Sequence, residues 1–336
     1  MLPVNTLPVG VIGCGRMGRL HARVYSQMPR VSLAGVFDAA PDSAAAVADL
    51  HSATAFPDLP ALLEKVRAVT IAVPTVHHLP IAQECLRRGV ACLIEKPLAK
   101  TAAEARQIVE LAQSTGVTVQ VGHIERFNPA VVAMNRLKIR PKFIEVTRIS
   151  PMTFRSIDVG VVLDMMIHDI DIVLQLAGAP VDRIDAVGVA VLGDVEDVCN
   201  ARLNFANGCV ANLTASRLAL KTERKLRVFS PDAYVSLDYQ KRYAMVAHRG
   251  GNLAAIRQAV QRIRAGEVED LSQLNFAELV NVEELQIDDV EPLRAELEAF
   301  VNAVTDGSSP AVSARDGLAA VETAQRIVSA MTPHTL

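Results

Sequence analysis

Two rhythms of apolar and polar positions divide the chain. In the first half, compact apolar runs alternate with stretches of helical period. The runs PVGVIG (8–13), VSLAGVFD (31–38), RAVTIAVP (67–74), VACLIEKP (90–97) and VTVQVG (117–122) predict buried strands. Helical patterns follow at 16–27, at about 79–88 and at 101–115. The last begins on Thr101 with Glu104 three residues on, a capping box, and stops at Gly116. Strands alternating with helices predict a parallel doubly wound α/β sheet, whose ligands sit at the carboxyl ends of its strands. Asp38, Pro74-Thr75, Glu95-Lys96-Pro97 and Gly122-His123 are therefore expected along one rim.

The second half reads differently. Strand-like runs at 142–149, 184–192, 197–205, 209–217, 224–230 and 233–238 follow one another with few helices between them. Asn207-Gly208 is a hairpin signal, so these strands are expected to pair antiparallel. Residues 241–285 are less regular and more charged, with a helix near 252–265; two closing helices are expected at 291–307 and 313–331.

One run fits neither rhythm. VLDMMIHDIDIVLQLAG (162–178) is strongly apolar, yet it carries three aspartates and a histidine. Wound as a helix, it places Asp164, His168, Asp171 and Gln175 within an arc of roughly 60°. Asp169 is the exception. A thin solvated stripe is the plain reading. A solvated face is usually wider and carries Lys or Glu, so the stripe also reads as the lining of a cleft.

Composition narrows the function. A chain of 336 residues suggests two domains, and 50% apolar with 21% charged residues fits a globular protein with a sizeable core. A net charge of −3 offers no basic patch for nucleic acid. No apolar run reaches the roughly 18 residues of a membrane span. The N-terminus lacks the basic region of a signal peptide. Five scattered cysteines without a C-x-x-C fit free thiols in a reducing cytoplasm, and no metal-ligand pattern stands out.

The first predicted strand leads into Gly13-Cys14-Gly15-Arg16-Met17-Gly18 and then a helix, the context that G-x-G-x-x-G requires. Gly13 permits the turn, Gly15 lets a pyrophosphate approach the backbone, and Gly18 lets helix and strand pack closely. The helix N-terminus supplies N–H groups and a positive dipole end. Asp38 lies 20 residues past Gly18, where a carboxylate meets ribose hydroxyls. Its charge opposes the extra phosphate of NADP and favours NAD. Two alternatives stand beside this: Asp38 as a turn aspartate before Ala39-Ala40-Pro41, and Arg16 as a partner for that phosphate.

Together VGVIGCGRMGRLHA, AVPTVHH, EKPLAKTAAEA and the D-x-x-x-H of Asp164 and His168 resemble the Gfo/Idh/MocA family of NAD(P)-dependent oxidoreductases, in order and over essentially the whole chain. The resemblance implies a Rossmann domain (1–122) and a substrate-binding and oligomerisation domain (123–336) with a large, mostly antiparallel open sheet. It implies homodimers or homotetramers, with the nicotinamide between the domains. Lys96 matches the lysine that contacts nicotinamide ribose and substrate. Asp164 and His168 match the substrate-side pair, with the histidine as acid/base, and His78 matches a histidine near the cofactor. One departure is Asp158-Val159-Gly160-Val161, where many members carry a glycine run.

VGHIERFNPAV (121–131), residues 158–174 and residues 214–239 resemble more closely a subgroup that oxidises the 3-hydroxyl of UDP-N-acetylglucosamine. A partner aminotransferase then makes a 3-amino sugar for lipid A. Diphosphate recognition calls for arginine or backbone N–H groups. Arg126, Asn128, Arg155 and Arg217 are candidates, with Asp171 on the helical stripe and His123 at a strand end. Each arginine has an ordinary ion-paired reading, and Asn128-Pro129 also reads as a helix start. Other sugars, inositols and UDP-sugar acids remain alternative substrates, as does a non-catalytic module that senses the dinucleotide.

Overall fold

The computed structural model describes residues 6–153, 159–248, 253–266 and 281–335. The chain forms two compact units, residues 1–127 with 290–329 and residues 128–289 with 330–336.

The first unit opens with β1 (Leu7–Ile12), α1 (Arg16–Ser26), β2 (Val31–Phe37), α2 (Pro41–His51), β3 (Thr54–Ala55) and α3 (Leu59–Leu63). It continues through β4 (Ala68–Ile71), α4 (His78–Arg87), β5 (Ala91–Glu95), α5 (Ala102–Thr115) and β6 (Val119–Gly122). The six strands are ordered β3-β2-β1-β4-β5-β6, and every pairing is parallel. β4 at the centre and β6 at one edge are buried throughout, as a sheet covered on both faces requires. Capping follows the sequence: Thr101 Oγ1 accepts from Glu104 N, and the Glu104 carboxylate accepts from Lys100 N.

Two helices return to this unit from the far end of the chain, α9 (Pro292–Asp306) and α10 (Ala314–Ala330, of which residues to 329 belong here). Leu293, Leu297, Phe300 and Val301 of α9 join one apolar cluster with Val24 and Tyr25 of α1. Their spacing of three to four residues makes a helical stripe, and α1 supplies the surface that buries it. The division therefore differs from the expected 1–122 and 123–336: residues 290–329 group with the dinucleotide half. A stripe at helical spacing shows that a helix is buried without naming its partner.

The second unit holds α6 (Pro129–Asn135), β7 (Phe143–Ile149), α7 (Ile167–Ala177), β8 (Val181–Ala190), β9 (Val198–Phe205) and β10 (Val210–Ser216). Then come β11 (Glu223–Phe229), β12 (Ala233–Asp238), β13 (Tyr243–His248), α8 (Leu253–Arg264), β14 (Asn281–Glu284) and, at the end of the chain, β15 (Met331–Thr335). The strands form one sheet, β14-β13-β12-β11-β7-β10-β9-β8-β15. Only β7 with β10 and β8 with β15 pair parallel. The hairpin at Asn207-Gly208 joins β9 to β10, and Gly208 sits at φ +78°. The central strands β7 and β10 alternate buried and half-buried positions, with α7 packed on both. Residues 241–285 include two edge-side strands, β13 and β14, beyond the expected helix.

Candidate functional site

The dinucleotide side is built by register. Ile12 pairs with Phe37 and Ile71, Ile71 with Ile94, and Glu95 with Gly122, so the loops after five strands leave one edge of the sheet. Gly13 sits at φ +92°, and a Cβ there would lie 2.6 Å from Ala72 O. A Cβ on Gly18 would lie 1.7 Å from Gly13 O. Gly15 caps α1, and a Cβ on it would meet nothing within 4 Å. Two glycines thus close the turn and the third leaves backbone open at a helix N-terminus, the cradle that a dinucleotide pyrophosphate needs. Arg16 is exposed and Met17 half-buried beside it.

Asp38 follows β2. Its Oδ2 accepts from Cys14 N at 2.6 Å and its Oδ1 from Ala40 N at 2.8 Å. The turn role and the rim position coexist, because each carboxylate oxygen has capacity for a second donor.

Pro74 is exposed and Thr75 half-buried, at the start of a 3-10 turn ahead of α4. His78 opens α4 and is buried. Its Nδ1 stands 3.0 Å from Pro97 O and its Nε2 3.0 Å from Val73 O. Burial disfavours the charged ring and outweighs these carbonyls, so the His78 pKa lies below its ordinary value. His78 therefore ties the Val73-Pro74 turn to Pro97, a strut behind the rim.

Lys96 is half-buried, and its N–H donates to Glu95 Oε2 at 3.3 Å. Glu95 Oε1 accepts from His21 Nε2 at 2.9 Å. Burial alone would raise the Glu95 pKa; the His21 hydrogen bond and the His21 and Lys96 charges bring it below the usual value. His123 is buried just past β6, and Arg126 Nη2 lies 3.7 Å from Asp316 Oδ1 of α10.

The second unit carries the other candidates. Residues Val162–Met166 form a π-helical turn that runs directly into α7. The run therefore is not one uniform α-helix, as its period suggested. A π turn is wider than an α turn, so fewer degrees separate successive residues and Asp164 and His168 stack more nearly in line. Both are half-buried, Asp171 is buried and Gln175 is exposed. Short π segments inside helices occur frequently at functional sites.

Two groups outside the predicted set, Glu196 and Asp197, hold this turn together with Arg217. The backbone N–H groups of Val161 and Val162 donate to Glu196 O and Glu196 Oε1, at 2.9 and 3.1 Å. A Cβ on Gly160 would lie 2.0 Å from Glu196 Oε1, which explains the single glycine at the departure noted above. Arg217 Nε donates to Asp197 Oδ1 at 2.6 Å, and Nη1 donates to Val159 O at 2.8 Å. Burial opposes ionisation of Asp197, but the Leu192 and Val191 N–H groups and the Arg217 guanidinium hold its pKa below the usual value. Arg217 is thus committed to the loop before the π turn, in place of the phosphate contact considered above.

Two more candidates have structural duties. Asn128 caps α6, its side chain accepting from Ala130 N at 3.1 Å with Pro129 in the first turn. Asp169, the exception to the stripe, is buried against Arg148 of β7. Arg155 lies outside the described residues. The sequence carried no signal for Glu196, Asp197 or Arg148, because their partners are distant in the chain.

Residues 7–123 match an oxidoreductase family with an NAD-binding Rossmann fold, Gfo/Idh/MocA, and residues 147–235 match the Gfo/Idh/MocA C-terminal domain. The chain is 39% identical over 272 residues to a UDP-N-acetylglucosamine 3-dehydrogenase of Acidithiobacillus ferrooxidans, covering 78% of this chain and 86% of that protein. It is 25% identical over 341 residues to an inositol 2-dehydrogenase of Rhizobium meliloti, covering 96% of each. The solved structure of the Acidithiobacillus enzyme matches with a TM-score of 0.86 and 33% identity, over 97% of this chain and 98% of that one. Among the described residues no helix is long and apolar enough to cross a membrane. With its glycine turn, its strand-end lysine and these full-length likenesses, the chain belongs to the Gfo/Idh/MocA family of oxidoreductases, which act on CH–OH groups.

Proposed function

We propose that this protein oxidises the 3-hydroxyl of UDP-N-acetylglucosamine to the 3-ketone, with NAD as acceptor. The observation that carries this reading is the likeness to an enzyme of that activity, at 39% identity over 86% of its length. Gly13, Gly15 and Gly18 would hold the pyrophosphate, with Arg16 and Met17 beside it, and Asp38 the adenosine ribose. Pro74, Thr75, Glu95 and Lys96 would line the nicotinamide end, backed by His78. The bound nicotinamide supplies the hydride acceptor. His168 takes the hydroxyl proton, an imidazole being poised for that near neutral pH. Asp164 holds the ring or steadies its charged form. The Lys96 ammonium stabilises the developing alkoxide. Each such group typically contributes on the order of a hundredfold in rate. His123, Arg126 and Asp171 are the remaining candidates for sugar or phosphate contact.

The Asp38 carboxylate opposes a 2′-phosphate, so the reading is NAD over NADP. An aminotransferase acting on the ketone would give the 3-amino sugar used in lipid A. A cytoplasmic, homo-oligomeric enzyme completes the reading. A second reading, an inositol or other sugar dehydrogenase, draws on the inositol 2-dehydrogenase that matches over 96% of its length.

The test mixes purified protein with NAD and UDP-N-acetylglucosamine, with a ketone trap because alcohol oxidation runs uphill near neutral pH. Reduced nicotinamide with the nucleotide sugar and not with free N-acetylglucosamine or myo-inositol is expected. Turnover of inositol alone would transfer the assignment to the second reading.

A further inference from the structure

A buried polar cluster lies behind Lys96, wholly within the first unit. It joins His21 and Tyr25 of α1, Thr70 of β4, Glu95 of β5, Gln120 of β6 and Glu296 of α9. Ligand atoms of His21, Glu95 and Glu296 all lie within 4.8 Å of one another. His21 Nδ1 stands 3.3 Å from Thr70 Oγ1, and the Tyr25 hydroxyl is 3.0 Å from the same atom. Gln120 Nε2 donates to the backbone carbonyl of Glu296. A Cβ on Gly122 would come 3.1 Å from Glu95 Oε2, so β6 leaves room for that carboxylate.

Glu296 is the anomaly. Its residue is fully buried, and neither side-chain oxygen has a hydrogen-bond partner. A bare carboxylate in such a place is too costly to persist, so the group must be neutral or bound to a cation. The geometry speaks against zinc. Two ligands on one tetrahedral zinc, each about 2.0–2.2 Å from it, stand about 3.4 Å apart. His21 Nε2 and Glu95 Oε1 are 2.9 Å apart, too close to share such an ion and at the length of a hydrogen bond; an octahedral cation is what metal analysis tests. With Glu95 ionised by its partners, a second charge beside it would be repelled.

We propose that Glu296 is a positioning residue: a neutral carboxylic acid that leaves Glu95 as the ionised member of the pair, and whose ionisation sets an alkaline limit to dinucleotide binding. Burial, then the neighbouring Glu95, pushes its pKa well above the usual carboxylate value, consistent with this. The titratable and charged groups nearby are His21 and Tyr25 of α1, Glu95 and Lys96 at the end of β5, and Glu125 and Arg126 of a second 3-10 turn, Ile124–Phe127, which packs on α9. When Glu296 ionises, the Glu95–Glu296 repulsion displaces the strand end that carries Lys96. The link to Lys96 rests on the function proposed above.

The test follows NADH binding by the full chain from neutral to strongly alkaline pH, with infrared spectra in H2O and D2O and metal analysis. A deuterium-sensitive carboxylic-acid band is expected at neutral pH and is lost in Glu296→Gln. Wild-type NADH affinity should fall by about tenfold for each pH unit beyond that ionisation. Glu296→Gln and Glu296→Met cannot ionise, so both should lose this limb; the second variant serves if the first does not fold. Lys96 and Tyr25 are present in all three proteins, so the difference between profiles belongs to Glu296. A stoichiometric divalent cation, absence of the acid band, or superimposable profiles would overturn the proposal. No sugar enters either readout: if UDP-N-acetylglucosamine is not turned over while the band and the limb are present, only the substrate reading fails.

Discussion

Arg148 of β7 donates from Nε and Nη2 to the two carboxylate oxygens of Asp169, at 2.7 and 2.8 Å, with both side chains almost fully buried. The guanidinium also lies 5.6 Å from the centre of the Tyr239 ring. A planar donor fork on a carboxylate fixes direction as well as distance. Asp169 is the residue after His168, so the pair sets how α7 sits on its sheet. Removing one partner strands the other charge in a dry place. Asp169→Ala should therefore lose about 3–5 kcal/mol of stability, read as a lower urea midpoint. A loss comparable to that of an exposed pair such as Arg183–Asp185 would show the fork to be dispensable.

His168→Ala tests the acid/base assignment. Turnover should fall at least about a hundredfold while NADH still binds, because the dinucleotide cradle is built by the other unit. Surviving turnover would move proton transfer to another group.

Gly15 and Gly18, three residues apart in the motif, should fail differently. Gly15→Val should fold, since nothing lies within 4 Å of a Cβ there, yet lose dinucleotide affinity because the added side chain occupies the cradle. Gly18→Ala should instead lower the melting temperature, because its Cβ would sit 1.7 Å from Gly13 O and α1 must shift. The cost of such overpacking is about 1–3 kcal/mol. Thermal melts and NADH titrations of both variants separate the two outcomes.

Acid should destabilise the protein in stages. The His78 pKa is depressed in the folded state by burial, so the unfolded chain takes up this proton first, and stability falls as pH drops below the ordinary value of 6.5. Glu95 and Asp197 are also depressed, so their contributions are present above the ordinary carboxylate range and are lost as pH falls through their folded values. Denaturant midpoints of wild type and His78→Gln across this range provide the check. The variant should lack the first stage and keep the second.

The local signals in the sequence were strong where the chemistry is local. Gly13 and Gly18 must be glycine for the reasons a tight turn dictates, Gly15 leaves the helix N-terminus open, and Thr101 with Glu104 caps a helix as short-range hydrogen bonds require. The rim of Asp38, Glu95, Lys96 and His123 followed from strand–helix alternation alone. Arg217 was legible only as a charge; that Asp197 and Val159 hold it is a matter of folding. Asn128, by contrast, was legible as a helix start, and its bond from Ala130 N is that cap.

Periodicity and turn chemistry are properties of neighbouring residues, so the two kinds of sheet, the glycine turn and the one-turn spacing of Asp164 and His168 were readable along the chain. Folding, not local pattern, put α9 and α10 with the dinucleotide unit, began the helix of His168 with a π turn, and buried Glu296 beside Glu95 and His21. Those outcomes depend on which distant surfaces meet. An apolar stripe or a lone carboxylate carries no record of its partner until the chain has closed around it.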